Sequence, residues 1–163
     1  MSGANGQRHT ISVLVNNQPG VLQRVAGLFG RRGFNIESIT VGESEEKGLS
    51  RMVIVTTGDA RTVEQISKQL YKLIDVIKVV NLSEHRMVAR EMALIKINAE
   101  PERRPEIFGL VETFRASVID VSPNTLIVQV VGDSQKIDAM QELLKPYGIR
   151  ELTRTGVTAM IRG

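Results

Sequence analysis

Hydrophobic and polar residues alternate near the start of the chain and then change to a helical spacing. Ile11, Val13 and Val15 recur at every second position over residues 9–16, which is the period of a β-strand. A turn follows, and the apolar residues over 21–29 then recur at the three- and four-residue intervals of a helix. The pattern therefore predicts a strand, a tight turn and an amphipathic helix, in that order.

The rest of the first half is predicted to hold three strands and one helix. The strands are expected at residues 34–41, 49–57 and 75–82. The step from Ile36 to Ile39 breaks strict alternation, so a bulge is expected in the first of them. The helix is expected after residues 58–59, with an apolar stripe made of Val63, Ile66, Leu70, Leu73 and Ile74.

The second half repeats this order without obvious sequence identity. Strands are predicted at 92–98, 117–121, 125–131 and 149–153, and helices at 105–115 and from Asp133 or Ser134 to about Lys145. The predicted fold class is α+β, with two tandem ferredoxin-like βαββαβ domains. The expected boundaries are a disordered N-terminus at 1–8, a first domain at 9–84, a linker at 85–91 and a second domain at 92–163, which ends in a tail at 154–163.

Helices are expected on only one face of each predicted sheet. The other face, or the edge of the sheet, must then meet water or a partner. A homodimer is the natural solution, and we expect one.

Composition narrows the available chemistry. The chain has no cysteine, which excludes disulfides and thiolate metal sites. Its two histidines, His9 and His85, lack the spacing of a metal site or a nucleophile–base pair, so a surface or capping role is expected. The net charge of +3 is spread along the chain, which favours a solvated surface over a nucleic-acid interface. No apolar run approaches the roughly 20 residues of a membrane span, and the first residues lack the apolar core of a signal peptide. A cytoplasmic protein is therefore expected.

Glycine-rich residues 27–33 resemble a nucleotide-binding loop only superficially. Such a loop follows a strand and opens a helix, whereas these residues close one. No P-loop is present, and the carboxylates Glu43, Glu45 and Glu46 share one polar loop. The sequence therefore predicts no catalytic residue, no metal ligand and no cofactor site in this chain.

The turn at residues 17–22 is the strongest candidate for ligand binding. Strand-to-helix turns offer unpaired backbone N–H groups and a positive dipole end, which suit a carboxylate or a phosphate. Gly20 allows a ligand to approach the backbone, and Asn17 adds a side-chain amide. A helix capped by Asn17 without any ligand is the alternative interpretation, and such caps are common.

A second polar position, Asn35, opens the second predicted strand, and Thr40 lies further along it. In a side-by-side dimer this strand can face the turn of the partner. The turn would then bind a carboxylate, and Asn35 with backbone carbonyls would bind an ammonium group. Val21, Leu22 and Ile36 would contact a small aliphatic side chain, which together describes a branched-chain amino acid site. A turn-stabilising or strand-capping role for Asn35 remains equally open.

Three other functions share parts of this pattern. An RNA-recognition module needs aromatic residues on its first and third strands, and residues 9–16 and 49–57 contain none. An acylphosphatase-like enzyme would use residues 20–24 as a phosphate loop with Arg24 as its cation, but a solvent-facing helical arginine explains Arg24 more simply. A transcriptional amino-acid sensor needs a helix-turn-helix module, and no segment is left for one.

The motifs themselves resemble a known family. Residues 11–16, followed by Asn17-Gln-Pro-Gly-Val-Leu22, resemble the start of an ACT domain, which is an amino-acid-binding regulatory module. Further segments are similar to the small regulatory subunit of acetohydroxyacid (acetolactate) synthase, and this similarity spans essentially the whole chain. These segments are Gly33-Phe-Asn-Ile-Glu-Ser-Ile-Thr40, Leu49-Ser-Arg-Met-Val53, Gln69–Val76, Arg90–Lys96, Phe114-Arg-Ala116, Ile119-Asp-Val-Ser122, Arg154-Thr-Gly156 and Met160-Ile-Arg-Gly163.

The resemblance implies a non-catalytic partner of a catalytic large subunit. In that family the large subunit binds thiamine diphosphate, Mg²⁺ and FAD and condenses pyruvate with pyruvate or 2-oxobutyrate. The small subunit raises this activity and confers feedback inhibition, usually by valine. The effector positions of the family fall on Asn17, Gly20 and Asn35, with Leu22, Ile36 and Gln65 as further carry-overs. We therefore expect a homodimer formed through ACT domains, a valine-type effector and no cofactor in this chain.

Overall fold

The first unit has the predicted order of strands and helices. In the computed structural model, which describes residues 6–163, its elements are β1 (Arg8–Asn16), α1 (Val21–Arg31), β2 (Asn35–Glu43), β3 (Leu49–Thr57), α2 (Ala60–Leu70) and β4 (Val76–Asn81). The strands form an antiparallel sheet in the order β2-β3-β1-β4. This arrangement leaves β2 at one edge and confirms the predicted ferredoxin-like α+β fold.

The predicted bulge in β2 is present. The register against β3 shifts between Ile36 and Ser38, so that Glu37 is the extra residue. Because a bulge restarts the alternation, Ile36 and Ile39 both pack against the core that the two helices cover.

The core of the first unit lies between the sheet and its helices. Ile11, Val13 and Val15 on β1 are almost fully buried, as their alternation predicted. On α1, Phe29 packs edge-to-face on Phe34, with ring centroids 6.1 Å apart. The predicted stripe of α2 extends too far, because the helix ends at Leu70 and Ile74 is 92% exposed.

The other face of this sheet carries apolar residues that need cover. Val53 and Val55 pair with Ser12 and Thr10, on the face away from the helices, yet both valines are buried. Residues Val157–Gly163 belong to the first unit, and their strand, β9 (Thr158–Ile161), lies on this face. The C-terminal segment of the chain therefore covers part of the face that was expected to contact water or a partner.

Hydrogen bonds hold this C-terminal segment in place. The hydroxyl of Thr40 donates to the carbonyl of Val157 (3.2 Å), and the N–H of Arg162 donates to the carbonyl of Arg86 (2.8 Å). Residues Val157–Gly163 therefore pack with the first unit, whereas the expected boundary assigned the whole of 92–163 to the second domain. The expected boundary followed the continuity of the sequence. The segment packs instead where it covers the helix-free face of the first sheet.

The second unit, Ala89–Gly156, repeats the same order. Its elements are β5 (Met87–Asn98), α3 (Arg104–Thr113), β6 (Ser117–Val121), β7 (Thr125–Gly132), α4 (Ser134–Leu144) and β8 (Ile149–Arg154), and its sheet order is β6-β7-β5-β8. Asp133 caps α4 as predicted, because its carboxylate accepts the N–H of Lys136 at 2.8 Å. The core between this sheet and its helices comprises Ala93, Ile95, Ile97, Ala99, Ile107, Val111, Leu126, Val128, Val130, Ile137, Met140 and Leu144.

Two boundary expectations differ from the structure. The expected linker at 85–91 contains the start of β5, and the division between the units falls between Val88 and Ala89. Of the N-terminus expected to be disordered, residues 1–5 lie outside the described residues, and Arg8 already begins β1. Over residues 6–163, no helix has the length and apolar character needed to cross a membrane.

Candidate functional site

The turn between β1 and α1 is held by backbone hydrogen bonds from both sides. The N–H of Asn16 donates to the carbonyl of Asp75 (2.9 Å), and the N–H of Asn17 donates to the carbonyl of Gly48 (2.8 Å). These bonds tie the turn to the segments that precede β4 and β3. The backbone of the turn is therefore fixed, while the side chain of Asn17 stays exposed.

Gly20, rather than an asparagine, is the N-cap of α1. Its backbone is left-handed, with φ +84°, a conformation that favours glycine. No side chain caps the helix within the described residues, so the expected cap by Asn17 is absent. An α-helix leaves its first N–H groups without intrahelical partners. At α1 the N–H of Val21 donates to the carbonyl of Gln18 (3.3 Å), so the open donors are the other N–H groups of the helix start.

The apolar residues predicted at this turn differ in their accessibility. The side chain of Val21 is only 4% exposed and belongs to the core, whereas Leu22 is 46% exposed. Of these two residues, Leu22 is therefore the one that offers an apolar side chain to a ligand beside the turn.

Asn35 lies at the other end of the same sheet. It pairs with Thr57, which pairs in turn with Arg8, the first residue of β1. The exposed side-chain amide of Asn35 donates to the hydroxyl of Thr57 (3.3 Å), and the backbone carbonyl of Asn35 accepts from the hydroxyl of Thr56. The neighbouring Ile36 is half-buried against the core.

One chain therefore does not bring Asn35 to the turn. β1 and β2 run in the same direction, because both are antiparallel to β3. β1 has nine residues, so its two ends are about 26 Å apart at about 3.3 Å per residue. The predicted residues form two half-sites at opposite ends of one sheet.

The sequence did not predict the ion pair between Arg24 and Asp75 at the turn. The Nε and Nη2 atoms of Arg24 donate to one carboxylate oxygen of Asp75 at 2.9 and 2.6 Å, and Asp75 is only 9% exposed. A Cβ atom placed on Gly20 would lie 3.0 Å from Nη1 of Arg24. Since 51 positions separate the two charges, no local pattern could reveal the pair.

One of the two histidines, His9, is buried outside the turn. His9 is 6% exposed, and its Nε2 lies 3.0 Å from the carbonyl of Gly58, to which it donates. His9 is therefore a buried residue that stabilises the β3–α2 turn, not a surface residue. Within residues 6–163, no group of three or more histidine or acidic side chains is placed to hold a metal ion.

Comparisons with known proteins agree on one family. Residues 11–78 match the family described as the AHAS small subunit-like ACT domain, and residues 90–163 match the small subunit of acetolactate synthase. A probable acetolactate synthase small subunit of Methanothermobacter thermautotrophicus is 59% identical, over 95% of this chain and 93% of that protein. The acetolactate synthase small subunit of Bacillus subtilis is 52% identical, over 96% of this chain and 91% of that protein.

A solved structure supports the same assignment. The small subunit of acetolactate synthase from Thermotoga maritima superposes with a TM-score of 0.89 at 51% identity. The match covers 96% of this chain and 98% of that one, so both units are included. The chain therefore belongs to the family of acetolactate synthase small subunits.

Proposed function

We propose that this chain is a regulatory, non-catalytic subunit that activates the catalytic subunit of acetolactate synthase and makes it sensitive to valine or another branched-chain amino acid. The observation that carries this proposal is the uncapped start of α1 at Gly20, where backbone donors remain open. Family membership supports the regulatory role, and the names of the relatives support a partner in acetolactate synthase.

The effector site is proposed to form between two chains. β2 is an edge strand, and edge strands can pair with a second copy. Antiparallel pairing of two β2 strands reverses one chain relative to the other. The Asn35 end of one chain would then lie at the same end of the joined sheet as the partner's β1–α1 turn.

Each half-site would supply different groups to the amino acid. Backbone N–H groups at Gly20 and the amide of Asn17 would bind the carboxylate, as helix starts bind anions. Asn35 of the second chain would bind the ammonium group. The exposed side chain of Leu22 and the half-buried Ile36 would contact the aliphatic side chain.

Regulation then follows from the shared site. An effector that contacts both chains stabilises the arrangement in which the half-sites meet, because it binds that arrangement more tightly. A coupling free energy of about 1–3 kcal/mol would give 5- to 150-fold regulation. Thiamine diphosphate, Mg²⁺ and FAD would all be held by the catalytic subunit in this proposal.

Thermal unfolding of the purified chain tests the effector. A ligand present at 100 times its Kd adds about 2.7 kcal/mol of stability and raises the Tm by several degrees. We expect a rise with L-valine, L-leucine or L-isoleucine, and no rise with D-valine as the matched control. If no branched-chain amino acid raises the Tm, either of the chain alone or of its complex with the catalytic subunit, the proposal is wrong.

Reconstitution tests the partner. Adding this chain to the catalytic subunit is expected to raise acetolactate formation and to make it inhibitable by the amino acid that raised the Tm. A catalytic subunit whose rate and inhibition do not respond to this chain would contradict the regulatory role.

A further inference from the structure

We infer that Arg24 is a specificity-determining residue of the effector site, where its guanidinium receives the carboxylate of the bound amino acid. This inference rests on the proposed function and deepens it. The other residues of the proposed site offer backbone N–H groups, amides and apolar side chains, but no positive charge. Arg24 supplies that charge at the turn itself.

The position of the guanidinium is set by Asp75. Two donors of Arg24, Nε and Nη2, bind a single oxygen of that carboxylate at 2.9 and 2.6 Å. Asp75 is nearly buried, and its own carbonyl accepts the N–H of Asn16. The ion pair and the turn therefore form one connected unit, so the guanidinium is held in a defined orientation.

One donor atom remains for a ligand. Within residues 6–163, the hydrogen bonds of Arg24 involve Nε and Nη2 but not Nη1. Nη1 lies above Gly20, 3.0 Å from the point that a Cβ atom would occupy. The glycine that leaves the helix start open therefore also leaves the space in which the guanidinium can reach a ligand.

Apart from Asp75, whose carboxylate is already paired with Nε and Nη2 of Arg24, the charges at this helix start favour an anion. No acidic residue stands in the first turn of α1 to complement the helix dipole. A carboxylate above Gly20 would meet the open N–H groups and Nη1 together. Charge-assisted hydrogen bonds from a guanidinium are shorter and stronger than neutral ones. Arg24 would therefore select amino acids over amines or amides that have the same side chain.

The test compares L-valine with L-valinamide, which keeps the ammonium group and the side chain but lacks the carboxylate. Calorimetric titration of the full chain is expected to show that the wild type prefers L-valine. Arg24→Gln should weaken L-valine binding by about 10- to 100-fold, because it removes a hydrogen bond to a charged group. Its binding of L-valinamide should stay close to that of the wild type.

Arg31→Gln is the matched control. Arg31 lies on the same helix, in its last turn, and the substitution removes the same charge. This variant should bind both ligands as the wild type does. Asp75→Asn keeps the charge of Arg24 but loosens its anchor, so it should weaken L-valine binding less than Arg24→Gln does.

Arg24→Lys provides a second test, should Arg24→Gln fail to fold by circular dichroism. Lysine keeps the charge but lacks the planar fork, so an intermediate preference is expected. If these variants weaken both ligands equally, or if neither changes the wild-type preference for L-valine, the inference is overturned and the proposed function stands. If the wild type binds no branched-chain amino acid, alone or with the catalytic subunit, both fail.

Discussion

The two units anchor the end of their first strand with equivalent backbone hydrogen bonds. In the first unit, Asn16 and Asn17 donate to Asp75 and Gly48. In the second unit, the N–H of Asn98 donates to Gly148 (3.0 Å) and the N–H of Ala99 donates to Asn124 (2.8 Å). The fold alone therefore specifies how this turn is anchored.

The side chains at the two turns differ. The fourth residue after the strand is Gly20 in the first unit and Glu102 in the second. Arg104 donates from Nε to the carbonyl of Ala99 (3.1 Å) and from Nη2 to the carbonyls of Ser122 and Pro123. Protein acceptors thus engage the arginine of the second turn, whereas the first turn keeps open donors.

The shared hydrogen bonds belong to the fold, whereas the differing side chains belong to the proposed site. Both units keep the hydrogen bonds that anchor the end of the strand, but the second enters its helix through a 3-10 turn at Pro101–Arg103. Only the first has a glycine at the helix start and an arginine with a donor directed at the opening. The comparison teaches that a repeat of the fold does not imply a repeat of the binding site.

The largest expected effect concerns the two cores. Phe29 and Val111 occupy equivalent places, because their carbonyls accept the N–H groups of Phe34 and Ala116, both at 2.9 Å. Phe29→Ala should lower the free energy of unfolding by about 3–5 kcal/mol, since it leaves a large cavity. Val111→Ala removes less apolar surface and should cost about 2 kcal/mol. Urea unfolding measures both losses of stability. Equal losses would contradict the expectation that the larger side chain, Phe29, contributes more to its core than Val111 does.

The next effect concerns the two turns. Gly20→Asp places a carboxylate at the proposed binding position, against Nη1 of Arg24 and in a left-handed backbone. It should abolish feedback inhibition, a loss of about 5- to 150-fold in sensitivity, while activation of the catalytic subunit persists. Inhibition curves of the reconstituted enzyme measure both properties.

The second unit supplies the control for that substitution. Glu102→Asp, at the equivalent position, should leave both feedback inhibition and activation unchanged. If Gly20→Asp kept the wild-type inhibition curve, the proposed position of the site would be wrong.

A smaller effect is expected where the first helix of each unit ends. Gly33 (φ +71°) and Arg115 (φ +53°) stand at equivalent positions with left-handed backbones. Such a backbone costs a residue with a Cβ about 1–2 kcal/mol. Gly33→Ala should therefore lower the free energy of unfolding by about 1 kcal/mol, and Arg115→Gly should raise it by up to about 1 kcal/mol. A loss of stability in both variants by urea unfolding would contradict this assignment.

The smallest expected effect concerns the pH response of a helix cap. The backbone N–H of Thr62, and then its hydroxyl, donate to Asp59 and hold the pKa of that carboxyl below its ordinary value of 3.8. A lowered pKa stabilises the fold above the unfolded pKa, and this stability is lost as the pH falls through the folded pKa. The advantage of the wild type over Asp59→Asn should therefore be full at pH 6 and shrink as the pH falls below the ordinary pKa of 3.8.

Urea unfolding across this pH range measures the effect of Asp59. Asp133→Asn is the matched substitution at the cap of the second unit, where Asp133 accepts the N–H of Lys136. A stability difference between the wild type and Asp59→Asn that did not change with pH would contradict the role of the ionised cap.

Much of the fold could be predicted because its signals are local. The alternation at Ile11, Val13 and Val15 gave the central strand, and the step from Ile36 to Ile39 gave the bulge. The end of α2 could not be read in this way, because Ile74 continues the apolar spacing beyond the helix although its side chain is exposed. A periodic pattern cannot distinguish a helical residue from an exposed apolar residue that follows the helix.

The candidate site was predictable only in part. Gly20 and Asn17 stand in a recognisable turn, but the expected asparagine cap is absent, because the left-handed glycine takes that position. The sequence placed Asn35 in a strand but did not show that this strand begins at the far end of the sheet from the turn. That distance depends on the pairing of β2 and β1 with β3.

The sequence by itself determined the order of strands and helices, the repeat and the family, because periodicity and motifs are properties of neighbouring residues. The tertiary structure decided which distant residues meet. It paired Arg24 with Asp75, buried His9 and placed the segment from Val157 on the helix-free face of the first sheet. These contacts arise from burial and hydrogen bonding between segments that are far apart in the chain, and no local pattern encodes them.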